Sequence, residues 1–142
     1  MEIRRLTEDY AVSPQIAPED AAAIRAAGFV AVICNRPDPE IPPDLHAARV
    51  RAAVEAAGMA FIDNPVISGG MTADNIARQA EAMAAAGGPV FAYCASGNRC
   101  SVVWAFANAG RRPTDELIAI PARFGYRLDP LRDQIEAFAR RG

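Results

Sequence analysis

The stretch VFAYCASGNRCSVVW, residues 90–104, runs from a β-prone apolar segment (Val90 to Tyr93) to Cys94. It continues through the small residues Ala95, Ser96, Gly97 and Asn98 to Arg99, and then into an apolar segment of helical character. A loop between a strand and a helix N-terminus turns backbone N–H groups inward at the positive end of the helix dipole, and so attracts anions. The same field favours thiolate over thiol and lowers a cysteine pKa from about 8.5 to roughly 3.5–7.5. Arg99 adds a planar fork that suits a tetrahedral oxyanion. The pattern points to a cysteine nucleophile, Cys94, over an anion cradle formed by residues 95–99. The bland alternative is a buried strand-end cysteine followed by a surface arginine. It accounts for each residue singly but not for their joint order.

Outward from this stretch, strands and helices alternate. IRRLTEDYAVS (residues 3–13) reads as two short strands around the turn Thr7-Glu8-Asp9. Pro18 opens a helix that ends at Gly28, with Glu19 and Asp20 at its positive end. FVAVIC (29–34) is a continuous apolar run of the kind that buried parallel strands have. A Pro-rich loop covers 35–43, Asp44 is placed to cap a helix reaching Gly58, and 59–66 gives the next strand. After the loop Ser68-Gly69-Gly70, Thr72 reads as the N-cap of a helix to about Ala86. Further helices fit 100–109, 114–124 and 129–141. The expectation is a single α/β domain over residues 1–142, with a mostly parallel central sheet flanked by helices. Ligands of such sheets bind at the carboxyl ends of the strands. Three of those ends carry polar or reactive residues here: Asn35-Arg36, Asp63-Asn64 and Cys94.

Composition narrows the function classes. The 142 residues are 51% hydrophobic and 23% charged, with formal net charge −2. No basic surface argues for nucleic acid or an anionic membrane. The first ten residues, MEIRRLTEDY, lack the apolar core of a secretory signal. No run approaches the ~18 apolar residues of a membrane span, so a cytoplasmic protein is expected. Three cysteines (Cys34, Cys94, Cys100) are too few and too odd in number for a disulfide framework. His46, the only histidine, excludes multi-histidine zinc centres, and no metal or other cofactor is expected. It reads as an exposed residue of the helix after Asp44, so the loop itself must activate Cys94.

These residues resemble the bacterial phosphatase-like domain family named after beta-lactamase hydrolase-like protein. The matching pieces are Val12-Ser13-x-Gln15, VICNRPDPE (32–40), Asn64-Pro65-Val66 and Tyr93-Cys94-x-Ser96-Gly97-x-Arg99 followed by Trp104-Ala105. The resemblance runs from about Leu6 to about Leu128. It implies a dual-specificity or tyrosine-phosphatase-like fold, in a family whose members are often labelled sulfurtransferases. Two positions depart from the family pattern. Ala95 stands where members commonly have Arg, which weakens any role for a second cation in the cradle. Cys100 stands where they usually have Ser, whose hydroxyl in phosphatase relatives stabilises the nucleophile as a leaving group. A thiol is expected to do that poorly, but could serve as a resolving partner for Cys94. The family's domain also occurs fused to metallo-β-lactamase-type persulfide oxidases, which makes a sulfide-handling partner plausible.

Two chemistries compete. Phosphatases of this fold resemble one another in having five residues between Cys and Arg; here four separate Cys94 from Arg99, as in rhodanese-type loops. A tighter cradle suits a persulfide sulfur, so sulfur transfer through a Cys94 persulfide is the first expectation. Hydrolysis of phosphate monoesters through a phosphocysteine is the alternative, and a non-catalytic anion or redox sensor is the third. Either reaction takes a small anionic substrate: a sulfane sulfur donor or a phosphate ester. A phosphatase also gains roughly 10²–10⁴ in rate from a general acid. The phosphatase relatives place it about thirty residues before the cysteine, where Asp63 and Asp74 stand. Their bland readings are a polar strand residue and a helix N-terminal acid. Arg36, Asp38 and Asp63 are candidate walls of the site, with Gln15 beside them. For Arg36 and Asp38 the alternative is a surface ion pair worth under about 1 kcal/mol.

Overall fold

The computed structural model describes residues 1–141. Five strands form one sheet in the order β1-β2-β5-β3-β4, with β1 at Arg4–Thr7, β2 at Tyr10–Ser13, β3 at Ala31–Cys34, β4 at Ala60–Asp63 and β5 at Val90–Tyr93. β1 and β2 are the antiparallel hairpin expected around Thr7-Glu8-Asp9, and every other pairing is parallel. The sheet is flanked by α1 (Ala21–Ala26), α2 (Ala47–Ala56), α3 (Ala73–Ala85), α4 (Asn98–Ala107), α5 (Thr114–Ala122) and α6 (Arg132–Arg141). It is the single-domain α/β architecture that the alternation of apolar runs implied.

The central strand β5 shows how the core is divided. Its side chains alternate, as strand geometry requires. Val90, Ala92 and Cys94 join the cluster that contains Cys100, Val103, Trp104 and Leu117 from α4 and α5. Phe91 and Tyr93 join Val32, Cys34, Val50 and Val54 on the face covered by α1 and α2. The last register pairs of the parallel strands are Cys34 with Tyr93 and Cys34 with Asp63, so β3, β4 and β5 end level. Cys94, one residue past the end of β5, therefore sits on the opposite face of the sheet from Cys34, Tyr93 and Asp63.

Some boundaries differ from expectation. α4 begins at Asn98 rather than at residue 100, because Gly97 takes φ +97° and turns the chain into the helix immediately. Arg99 thus lies in the first helical turn. The segment after Pro18 opens with a 3-10 turn (Pro18–Asp20) before α1. α2 starts at Ala47, and the carboxylate that caps it is Asp38 rather than Asp44: Asp38 Oδ1 accepts from the Ala47 N–H at 2.9 Å. Thr72 caps α3 as expected, in a reciprocal pair with Asn75.

Candidate active site

Cys94 is fully buried at the mouth of the loop, with Ala95 and Ser96 exposed above it. The Gly97 N–H donates to the Cys94 Sγ at 3.1 Å. The thiol is lowered from its usual 9.0 to about 5. The largest cause is a hydrogen bond from the Cys100 side chain, followed in the same direction by the backbone N–H groups of Cys100, Ser96 and Gly97; burial works against all of them. The Cys100 thiol, expected to be a poor substitute for serine, thus favours the thiolate form of Cys94 alongside the loop N–H groups. Cys100 is itself buried, and burial together with the neighbouring Cys94 pushes its own thiol up. At neutral pH the pair therefore shares one proton, held on Cys100. Cys34 behaves oppositely. Buried at the end of β3, its thiol is pushed up to about 11, chiefly by burial.

The cradle uses fewer loop residues than its length suggests. The Asn98 N–H is diverted to the Ser96 hydroxyl at 3.2 Å, and Ser101 Oγ donates to the Gly97 carbonyl at 2.9 Å. Gly97 is required twice. Its positive φ suits only glycine, and a Cβ there would lie 2.2 Å from the Tyr126 hydroxyl oxygen.

Arg99 is held by a residue that sequence reasoning did not single out. Glu40 receives Arg99 Nη1 and Nη2 on its two oxygens, both at 2.8 Å, and the second Nη1–H goes to the Val66 carbonyl at 2.8 Å. A guanidinium has five N–H donors, so three are engaged here. The edge formed by Nε–H and the outer Nη2–H remains to grip an oxyanion bidentately. Glu40 also accepts from Arg36 Nε at 3.1 Å, and Arg36 Nη1 reaches the Gln15 Oε1 at 3.3 Å. The two guanidiniums lower the Glu40 carboxyl, Arg99 more than Arg36. With the Cys94 thiolate, the two arginines and Glu40 form a neutral set. The sequence held one hint, since Glu40 closes the segment 32–40; that Arg99 is only 12% exposed, and so calls for a carboxylate, is a property of the fold.

The remaining candidates are placed as follows. Gln15 and Arg36 join the Glu40 and Arg99 network. Asp38 is occupied as the cap of α2. Asp63 faces the α1 and α2 side of the sheet, where burial first and Asp38 second raise its carboxyl. It is turned away from Cys94 and is not a wall of the cradle. Asp74 is exposed in the first turn of α3. His46 is half-buried at the N-terminus of α2 rather than exposed, and its ring binds the Ile41 carbonyl at 3.1 Å.

Asn35 and Asn64 are turned into the interior. Both are buried and donate to the Gln79 Oε1 at 2.9 Å; Gln79 donates to the Tyr10 hydroxyl, which donates to the Cys100 carbonyl at 2.9 Å. This chain of bonds ties the ends of β3 and β4 to the first turn of α4, beneath the cradle. Among the described residues no cluster of His, Cys, Asp or Glu suits a metal ion. No helix among them is long and apolar enough to cross a membrane.

Comparison with known proteins shows the family of the chain. The family described as "Beta-lactamase hydrolase-like protein, phosphatase-like domain" matches residues 2–111. The chain belongs to that family. It is 32% identical over 109 residues to the beta-lactamase hydrolase-like protein of Agrobacterium fabrum, covering 77% of this chain and 25% of that one. A Xylella fastidiosa protein of the same name is 30% identical over 130 residues, covering 90% and 30%. The chain thus spans about a quarter to a third of the length of these curated relatives. A solved candidate phosphatase from Neisseria meningitidis is similar over 97% of this chain and 99% of its own, with 32% identity and a TM-score of 0.83. TpbA from P. aeruginosa, solved with pTyr, shares the fold alone: 14% identity, TM-score 0.67, covering 99% and 91%. The fold is that of tyrosine and dual-specificity phosphatases. The family and its neighbours support an enzyme with a cysteine nucleophile.

Proposed function

We propose that the domain is a cysteine-dependent phosphatase acting on phosphate monoesters. The observation that carries this reading is a buried Cys94 whose thiol is lowered to about 5, with the Gly97 N–H on its sulfur, together with an Arg99 that Glu40 and Val66 hold through three of its five N–H groups, so that Nε–H and the second Nη2–H have no partner among the described residues. The phosphatase description of the family and of the similar Neisseria protein points the same way. In the reaction, the Cys94 sulfur attacks phosphorus as the ester P–O bond breaks, and the leaving oxygen takes a proton from water or a donor on the substrate. Water then attacks the phosphocysteine, releasing inorganic phosphate and the thiolate. The Cys100 S–H and the loop N–H groups favour that second step by stabilising the departing sulfur, and Arg99 holds the equatorial oxygens as charge develops on them.

Sulfur transfer, favoured by the four-residue spacing, has no support from the comparisons, and it becomes an outcome of the test. Parent protein and Cys94→Ser are assayed with an aryl phosphate and with thiosulfate plus cyanide. Phosphate release lost in Cys94→Ser is the expected result. Cys94-dependent thiocyanate formation without phosphate release overturns the proposal in favour of sulfur transfer. Activity in neither assay overturns it in favour of a sensor.

A further inference from the structure

We infer that Tyr126 is a positioning residue for the Cys94 thiolate, acting through the peptide bond between Ser96 and Gly97. A peptide unit is planar and trans, so its C=O and N–H point in opposite directions. Here the Gly97 N–H points at the Cys94 Sγ at 3.1 Å, while the Ser96 carbonyl accepts the Tyr126 hydroxyl at 2.7 Å. Holding the carbonyl outward holds the N–H inward. Turned over, the same plane would aim a carbonyl lone pair at a thiolate, or at the oxyanion of a ligand, in place of a donor.

The clamp is built from parts of the chain remote from the loop. Tyr126 lies between α5 and α6, thirty residues beyond Ser96. Arg4, on β1, donates to the Tyr126 hydroxyl at 2.5 Å and reaches the Ser96 carbonyl at 3.4 Å. Its guanidinium also lies over the Tyr126 ring, 5.7 Å from the centroid. Arg4 is fixed in turn by Glu2 at 2.6 Å. Because the tyrosine oxygen accepts from Arg4, its proton is directed to Ser96. Burial, the leading influence on this phenol, raises its pKa, so the hydroxyl remains a donor at neutral pH. The Gly97 constraint is a second and independent sign. The hydroxyl lies so close over Gly97 that no β-carbon fits beneath it. Ring and loop are packed for this one contact.

The inference concerns the thiolate and stands whichever anion the site takes. Tyr126→Phe keeps the ring and removes only the hydroxyl. The iodoacetamide reaction of Cys94 is followed from pH 4 to 9, with thermal melting recorded alongside. Loss of one oriented donor raises the midpoint by about one unit, which makes alkylation roughly fivefold slower at pH 5 and equal above pH 8. Arg4→Met leaves the hydroxyl in place, and its smaller shift in the same direction keeps the test open where Tyr126→Phe folds poorly. A lowered melting temperature with the Cys94 midpoint unmoved in both variants overturns the inference, because Tyr126 is then only a packing residue.

Discussion

Replacing Cys100 by alanine tests the electrostatics of the site most directly. Cys94 falls from 9.0 to about 5 although burial pushes it the other way, so its hydrogen bonds together supply more than the net change. The Cys100 thiol is the largest contributor, ahead of three backbone N–H groups. Its removal should raise the Cys94 midpoint by at least about one unit. At pH 6 the parent is then about nine-tenths thiolate and Cys100→Ala half or less, by simple titration about those midpoints. The assay is iodoacetamide labelling resolved by peptide mass spectrometry on protein shown to be folded. Cys34 is the internal reference: with its thiol at about 11, its rate should climb roughly tenfold per pH unit across the range in every variant. Cys100→Ser completes the comparison. A hydroxyl is a better donor than a thiol, so serine should keep the midpoint at or below the parent's. A midpoint that stays near 5 in Cys100→Ala would refute the reasoning, since the loop N–H groups would then suffice alone.

Two further outcomes follow from the same geometry. Glu40→Gln leaves Arg99 with a neutral, half-matched partner and frees Arg36; kcat/KM for an aryl phosphate should fall about tenfold or more, with loss of a charge-assisted pair worth ~1.5–3 kcal/mol as the cause, and an unchanged value means the pair does not orient Arg99. Under mild peroxide, Cys94 should pass to the sulfenic acid and condense with the Cys100 thiol, expelling water, so that mass spectrometry finds a reversible loss of two hydrogens over residues 94–100; sulfinic acid on Cys94 with Cys100 untouched ends the resolving role.

What the sequence disclosed and what it withheld divide along physical lines. The cradle was legible because every part of it is local: strand, cysteine, small residues, arginine and helix follow one another within residues 90–104, and dipole and backbone chemistry act over that distance. The sheet was legible because apolar runs announce buried parallel strands. Glu40 stands 59 residues from Arg99, and Tyr126 and Arg4 meet the loop across separations of 30 and 92. No pattern within a window reports such contacts. Cys100 is legible in the sequence as a neighbour of Cys94, but its complete burial is not. Its value as a donor comes from complete burial beside Cys94, which keeps the proton on its own sulfur, and burial of that degree is a property of packing.

Asp63 marks the finer boundary between the two. Its offset from Cys94 suited a general acid, and the sequence FIDNPV gave no reason to turn it either way. In a strand a shift of one residue moves a side chain to the other face. Expecting the strand to run on to Val66 left that parity open. The strand in fact ends at Asp63, level with Cys34 and, through it, with Tyr93. Cys94 follows Tyr93 just past the end of β5 and packs on the other face of the sheet, so its sulfur and the Asp63 carboxylate lie on opposite sides. On the proposed phosphatase reading, Asp63 is therefore not the donor of the proton that a leaving alkoxide needs. On that reading, substrates whose leaving oxygen is already acidic, such as aryl phosphates, are the ones this arrangement would serve best.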